Sequence, residues 1–281
     1  MDKPASLFSA PAKLNLFLEV LGRRPDGYHE LDSIFTEIDL ADELEICSAP
    51  DTSLTVEGPE AEGVPADSSN LAWRAAAALG VGAQIRIHKR IPAGGGLGGG
   101  SSDAATVLRE LNRIAELGLD LAQLSEIGKK LGADVPYFLH GGTAHCRGIG
   151  EIVESLPSPG PRDYLLMLPK LTSSTPEVFA AHAPGLTENP LKATVFWTEY
   201  RNREGAQGRP FFNRLQDAAE RVQPKLRVIR EDAERRFGRR FTLTGSGSAY
   251  FAEVGPGADC DPISSWTVAD VPVRALVVRS R

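Results

Sequence analysis

"IPAGGGLGGGSSDAATVLRELN", from Ile91 to Asn112, carries six glycines in the seven positions Gly94 to Gly100, then two serines and an aspartate. Glycine loses more conformational freedom on folding than any other residue, so a run of this kind needs a reason. Ahead of it, Ile85, Ile87 and Ile91 alternate with polar residues, as on a strand. Behind it, Ala104, Val107, Leu108, Leu111 and Ile114 recur at helical spacing. In a strand–loop–helix of this composition the backbone N–H groups can point inward without Cβ clashes. The helix N-terminus adds about half a positive charge. The stretch therefore predicts a cradle for phosphate groups. A tight turn would account for one or two glycines, not six. Replacing Gly96 or Gly98 by valine is expected to weaken nucleotide binding with little loss of folding.

The segment formally matches G-x-G-x-x-G, a weak signal alone. A Rossmann site needs a second strand ending in an acid about 20 residues on, where this chain has a helical pattern and the cap-like Asp120. A P-loop needs a lysine after its last glycine, and Ser101 stands there. The lysine strand, H-R-D and D-F-G segments of a protein kinase are absent. Asp103, an acid beside a phosphate site, reads either as a helix cap or as a group facing Mg²⁺. A second glycine turn, LTGSGSAYF (243–251), reads alone as an ordinary hairpin.

Outward from the loop, Leu14, Leu16, Leu18 and Val20 alternate as a one-faced strand, followed by the turn Pro25-Asp26-Gly27. DSIFTEIDL, LEICS and SLTVEG read as further strands. SSNLAWRAAAALG reads as a helix opened by Ser68 or Ser69 and closed by Gly80, and the helix after the glycine loop is closed by Gly118. Asp120 with Gln123 forms a capping-box pattern for a second helix. The proline-rich PSPGPRD (157–163) is the best domain boundary. Beyond it come a strand (YLLMLP), a helix opened by Thr175-Pro176-Glu177 and a mostly polar stretch at 184–210 that reads as loop with one helical piece. Helices FFNRLQDAAERV and PKLRVIREDAERRFG follow, then strands around the second glycine turn and at VPVRALVV. Strands and helices mix without βαβ alternation, so the fold class is α+β.

The 281 residues fit about two domains. At 42% hydrophobic, 24% charged and net charge −6, the chain reads as globular, and the acidic balance disfavours bulk nucleic-acid or anionic-lipid binding. Cys47, Cys146 and Cys260 show neither metal spacing nor an even count, which fits a reducing, cytoplasmic setting. No signal-peptide pattern or membrane-span run is present. The expected partner is a small molecule, with no nucleic acid and no membrane; oligomeric state is left open. Lys13 reads either as a solvated strand residue or, beside a phosphate site, as a group holding the γ-phosphate or lowering the pKa of a neighbour. Asp134, before Val135-Pro136, reads about equally as a helix N-cap and as a base.

Taken together, PAKLNLFL near the N-terminus, PAGGGLGGGSSDAA in the middle and LTGSGSA near the C-terminus resemble the GHMP kinase superfamily. APAKLNLFLEVLGRRPDGYHEL, LGADVPYFLHGGTA and GIGE are most similar to the branch that phosphorylates the 2-hydroxyl of 4-diphosphocytidyl-2-C-methyl-D-erythritol, in the non-mevalonate isoprenoid route. The resemblance implies an N-terminal domain over 1–158 like the second domain of ribosomal protein S5, a ferredoxin-like C-terminal domain over 159–281, and a site in the cleft between them. It implies ATP with Mg²⁺ as cofactors, and leaves the metal ligands unknown. ATP would sit on Pro92, Ala93, Gly94, Gly95, Gly96, Leu97, Gly98, Gly99, Gly100, Ser101 and Ser102, with Asn70 and Leu71 nearby. Lys13 and Asp134 would be the catalytic pair. Asn15, Tyr28, His29 and Phe35 would face the acceptor, Tyr28 stacking on cytosine and His29 bonding its edge, and Phe179 would add to that pocket. The competing expectations are a mevalonate- or homoserine-type kinase, a non-catalytic ligand sensor of the same fold, and RNA binding through the S5-like fold.

Overall fold

The period-two pattern around Lys13 belongs to a hairpin longer than either segment suggests. A computed structural model describes residues 6–182, 190–202, 211–255 and 263–281. Strand β1 (Ser6–Arg23) pairs antiparallel with β2 (His29–Ser48) from Ser6 opposite Ile46 to Arg23 opposite His29. Gly27 at φ +89° makes the turn, and Asp26 Oδ1 accepts from the Tyr28 N–H at 3.1 Å. DSIFTEIDL and LEICS are thus one strand: the ladder with β1 continues through Ala41 and Asp42 and absorbs the polar interruption in register shifts. The first sheet is completed by β3 (Ser53–Glu57), β4 (Ala83–His88), β5 (Thr143–Gly148) and β6 (Ile152–Ser155).

Four helices pack on this sheet: α1 (Leu71–Leu79), α2 (Gly99–Ile114), α3 (Leu121–Leu131) and α4 (Val135–His140). Helix α1 is capped by Asn70, whose side chain accepts from the Ala72 N–H at 2.9 Å, not by Ser68 or Ser69; Ser69 instead donates to Asp67. Gly80, left-handed at φ +67°, closes α1 as its position suggests. The Asp120–Gln123 capping box opens α3. Helix α2 stops at Ile114, short of Gly118.

The chain then enters β7 (Asp163–Pro169), α5 (Thr175–Ala181), α6 (Ala193–Arg201), β8 (Phe212–Asn213), α7 (Gln216–Val222), α8 (Lys225–Phe237), β9 (Thr242–Leu243), β10 (Tyr250–Val254), β11 (Ile263–Val268) and β12 (Val271–Arg279). A second sheet runs β11-β12-β7-β10-β9. Strand β11 went unread in the sequence. Phe212 and Asn213, expected inside a helix, instead form β8, which returns to the first sheet parallel to β1. The reason is an anchor: Arg214 donates to both carboxylate oxygens of buried Glu19 at 2.7 Å, holding the chain extended until α7 begins. Cys260 and most of the 184–210 stretch lie outside the described residues.

The boundary expected at 158/159 lies in the chain between β6 of the first sheet and β7 of the second, and β8 beyond it belongs to the first sheet. A shared core joins them: Leu14, Leu16 and Phe17 of β1 pack with Tyr164 and Leu166 of β7 and with Phe196 of α6. Leu14 and Leu16 are fully buried, each worth about 1.5–3 kcal/mol. This seam sets the second glycine turn against the first.

Candidate active site

The glycine loop leaves β4 and turns through Gly94, Gly96 and Gly98 at φ +69°, +73° and +74°. Its carbonyls are held by the protein. Gly94 O and Gly95 O accept from the Ser248 and Ala249 N–H groups at 3.2 and 3.1 Å, and Leu97 O accepts from the Lys13 N–H at 3.0 Å. Among the described residues no protein group accepts from the N–H groups of Gly94 to Gly98. The loop is therefore braced through its acceptors and keeps its donors. Gly94 to Gly100, Pro92, Ala93, Ser101, Asn70 and Leu71 line one cavity of about 390 Å³. Ser102 is off this wall: it is fully buried, its hydroxyl unpartnered.

Two glycines have a packing duty besides. A Cβ on Gly96 would be driven into the Thr244 carbonyl oxygen; one on Gly98 would stand 2.7 Å from the Phe138 ring. The expectation that valine at these positions spares folding is therefore corrected: both sites are filled by neighbouring protein.

Lys13 and Asn15 are buried, not solvated strand residues. The Lys13 ammonium donates to Asn15 Oδ1 at 2.5 Å, sits 3.8 Å from Asp134 Oδ2 and lies 4.9 Å over the Phe35 ring. Burial lowers the Lys13 pKa, against the pull of Asp134. Asp134 occupies the N-cap position of α4 without making a capping bond, so its carboxylate is not spent on the helix. Neither Lys13 nor Asp134 is on the wall of either cavity, and each reaches one only through a neighbour. Lys13 bonds the glycine loop at Leu97, while Ala133, next to Asp134, lines a second cavity of about 540 Å³.

That second cavity is walled by Arg23, Tyr28, His29, Leu31, Ile149, Thr175, Pro176 and Phe179. His29 and Phe179 stack at 4.9 Å between ring centres, joining β2 to α5, and Tyr28 is 60% exposed at the rim. Burial, with Arg23 adding to it, lowers the His29 pKa. Phe35 is not on this wall. It is buried in the core, edge-on to Tyr137, and floors the Lys13 ammonium. Asn15 is also withdrawn from both cavities, its carbonyl taken by Lys13 and Thr244.

Sequence reading missed a buried triad beneath the loop. Lys89 donates to Asp42 Oδ2 and, at 2.8 Å, to Asp103 Oδ2, and Asp42 Oδ1 accepts from the Arg90 and Ile91 N–H groups. Asp103 thus neither caps α2 nor stands free; it ties the N-terminal half of α2 to β2 and the end of β4. Burial pushes the Asp103 carboxyl up to about 7 against Lys89, with Asp42 adding to the rise. Only the polar break in IRIHKRI hinted at Lys89.

Comparison with known proteins decides the family. Residues 70–142 match the model of the GHMP kinases N terminal domain. The 4-diphosphocytidyl-2-C-methyl-D-erythritol kinase of Marinobacter nauticus (strain ATCC 700491 / DSM 11845 / VT8) is 41% identical over 250 residues, 86% of this chain and 83% of its own length. This chain belongs to the 4-diphosphocytidyl-2-C-methyl-D-erythritol kinase family. A crystal structure of a 4-(cytidine 5'-diphospho)-2C-methyl-D-erythritol kinase, 38% identical, superposes with a TM-score of 0.74 over 89% of this chain and 91% of that one. The mevalonate kinase of Methanococcus jannaschii superposes at 0.64 over 99% of this chain and 98% of its own, with 16% identity, a likeness of fold alone. The α+β expectation and the GHMP kinase fold both stand. Among the described residues no helix is long and apolar enough to cross a membrane.

Proposed function

We propose that this member of the family transfers the γ-phosphoryl group of ATP to the 2-hydroxyl of 4-diphosphocytidyl-2-C-methyl-D-erythritol. The observation that carries this reading is the Lys13–Asp134 pair, tied by Lys13 to Leu97 on the wall of a cavity of unspent glycine N–H groups and adjoining, through Ala133, an aromatic cavity. With the boundary at 158/159, the aromatic cavity takes its walls from both domains, while the glycine cavity is lined from residues 64–103 alone.

The donors of Gly94 to Gly98 and the N-terminus of α2 fit a polyphosphate: both supply positive potential without a side chain. Asn70 and Leu71 would flank the nucleotide. Among the described residues no group of three or more His, Cys, Asp or Glu could hold a metal ion. Mg²⁺ commonly binds through phosphates, waters and one or two carboxylates; it would enter with the nucleotide and offset charge there. Phosphoryl transfer then asks the protein for positioning and for a group to take the alcohol proton. Asp134 accepts the proton of the acceptor hydroxyl as that hydroxyl's oxygen bonds to the γ-phosphorus and the bond to the β–γ bridging oxygen breaks, releasing ADP. Lys13, held by Asn15 and flattened against Phe35, orients Asp134 and balances the charge on the transferred group. Tyr28, His29 and Phe179 receive the cytosine ring, which suits aromatic faces and a hydrogen-bonding edge.

The test incubates the protein with Mg-ATP and each of four acceptors, the cytidyl substrate, methylerythritol phosphate, mevalonate and homoserine, and follows ADP. Turnover is expected with the first alone. Tyr28→Ala should raise KM for that acceptor and leave KM for ATP nearly unchanged. Efficient turnover of an acceptor without a nucleobase would reject the assignment.

A further inference from the structure

The edge of β1 that faces away from β2 carries more than Lys13. The Lys13 N–H donates to Leu97 O of the glycine loop, and the Asn15 N–H donates to Thr244 Oγ1 at 3.1 Å. Phe17 and Leu18 pair with β8. Along one strand edge, then, the chain attaches in turn the first glycine loop, the second glycine turn and the return strand. The second attachment is the unusual one, because a side chain makes it.

Thr244 is fully buried. Its hydroxyl accepts from the Asn15 backbone and has one hydrogen for two acceptors, Asn15 Oδ1 at 3.2 Å and Gly96 O at 3.4 Å, of which Asn15 is the nearer. Asn15 Oδ1 also takes the Lys13 ammonium, while Asn15 Nδ2 donates to Ser33 Oγ at 3.2 Å. A freely rotating amide could not hold an ammonium in one place; this amide is fixed at both ends. The turn bearing Thr244 is itself clamped, since Asn213 Nδ2 donates to Leu243 O and to Gly245 O at 2.7 Å each.

We infer that Thr244 is a positioning residue for phosphoryl transfer, its hydroxyl setting Lys13 through Asn15 and so making the reaction depend on contact between the two halves of the chain. This rests on the reading of Lys13 given above. Displacing a positioned group by about 1 Å can cost 10²-fold in rate, and the shorter bonds lead to the lysine, with a longer 3.4 Å contact to Gly96 O of the glycine loop beside them.

The experiment compares Thr244→Val, which keeps the shape, with Thr244→Ser, which keeps the hydroxyl. Thr244→Val should lose about 10- to 100-fold in kcat with KM for ATP and for the acceptor little changed, and Thr244→Ser should recover most of it. In an Asn15→Ala background Thr244→Val should cost little further, because groups acting through one another are not additive. A Thr244→Val enzyme with wild-type kcat, equal losses in the Val and Ser variants, or full additivity with Asn15→Ala would each overturn the inference. Lys13→Ala, assayed alongside, separates the two levels. If it retains turnover, the proposed role of Lys13 fails and takes this inference with it. If it is inactive while Thr244→Val is not impaired, only the inference fails.

Discussion

Gly96 is where the two glycine-rich segments touch, and Gly96→Ala measures that contact. The residue has φ +73°, a conformation that costs a residue with a Cβ about 1–2 kcal/mol. The added methyl would also be forced into the Thr244 carbonyl, 3.0 Å from its carbon and 3.1 Å from Gly247 O. These are backbone atoms, so the neighbour cannot rotate away, and overpacking of this kind costs about 1–3 kcal/mol. The sum is about 2–5 kcal/mol, a large share of a typical total of about 5–15 kcal/mol. At about 2 °C per kcal/mol for a chain of this size, Tm should fall by about 4–10 °C. Gly100→Ala is the matched control. It lies in the first turn of α2, where a Cβ meets only Leu71 Cδ1 at 3.8 Å, so alanine should stabilise by about 0.5–1 kcal/mol. Gly100 and Leu71 both line the cavity proposed for the nucleotide, and the methyl should still weaken ATP binding. Differential scanning calorimetry and ATP titration of both variants check this. A Gly96→Ala Tm within a degree of wild type would refute the packing argument; unaltered ATP affinity in Gly100→Ala would refute the cradle.

Asp134→Asn removes a proton acceptor while Asp134 makes no capping bond to lose; a folded, ATP-binding protein slower by about 10²–10⁴-fold is expected in single-turnover assays, and near-normal turnover would strip Asp134 of its role. Asp103 has a folded pKa of about 7, above its ordinary 3.8. Between those values the native state holds a proton that the unfolded chain has released, so its contribution makes stability fall as pH rises through that window. Denaturant titrations from pH 5 to pH 8 should show this slope reduced in Asp103→Asn, and an identical slope in the variant would contradict the assignment.

What the chain determined by itself was local. The strand at β1 (though not its burial on both faces), the Asp120–Gln123 box, the left-handed Gly80 and the glycine loop between β4 and α2 were legible because each rests on residues within one turn or one pleat of each other. Lys13, Asp134 and the glycines could be named as candidates, but whether Asp134 capped a helix and whether Lys13 met solvent turned on neighbours from elsewhere in the chain. The tertiary structure alone decided the rest. Lys89 finds Asp42 across 47 residues, and Asn15 finds Thr244 across 229. It moved Phe35 from the acceptor wall to the floor under Lys13, and it drew Phe212 and Asn213 out of a helical pattern because buried Glu19 holds Arg214. A buried charge or an unpaired amide must find its partner wherever the fold brings one. That search runs over the whole path of the chain, which no local spacing encodes.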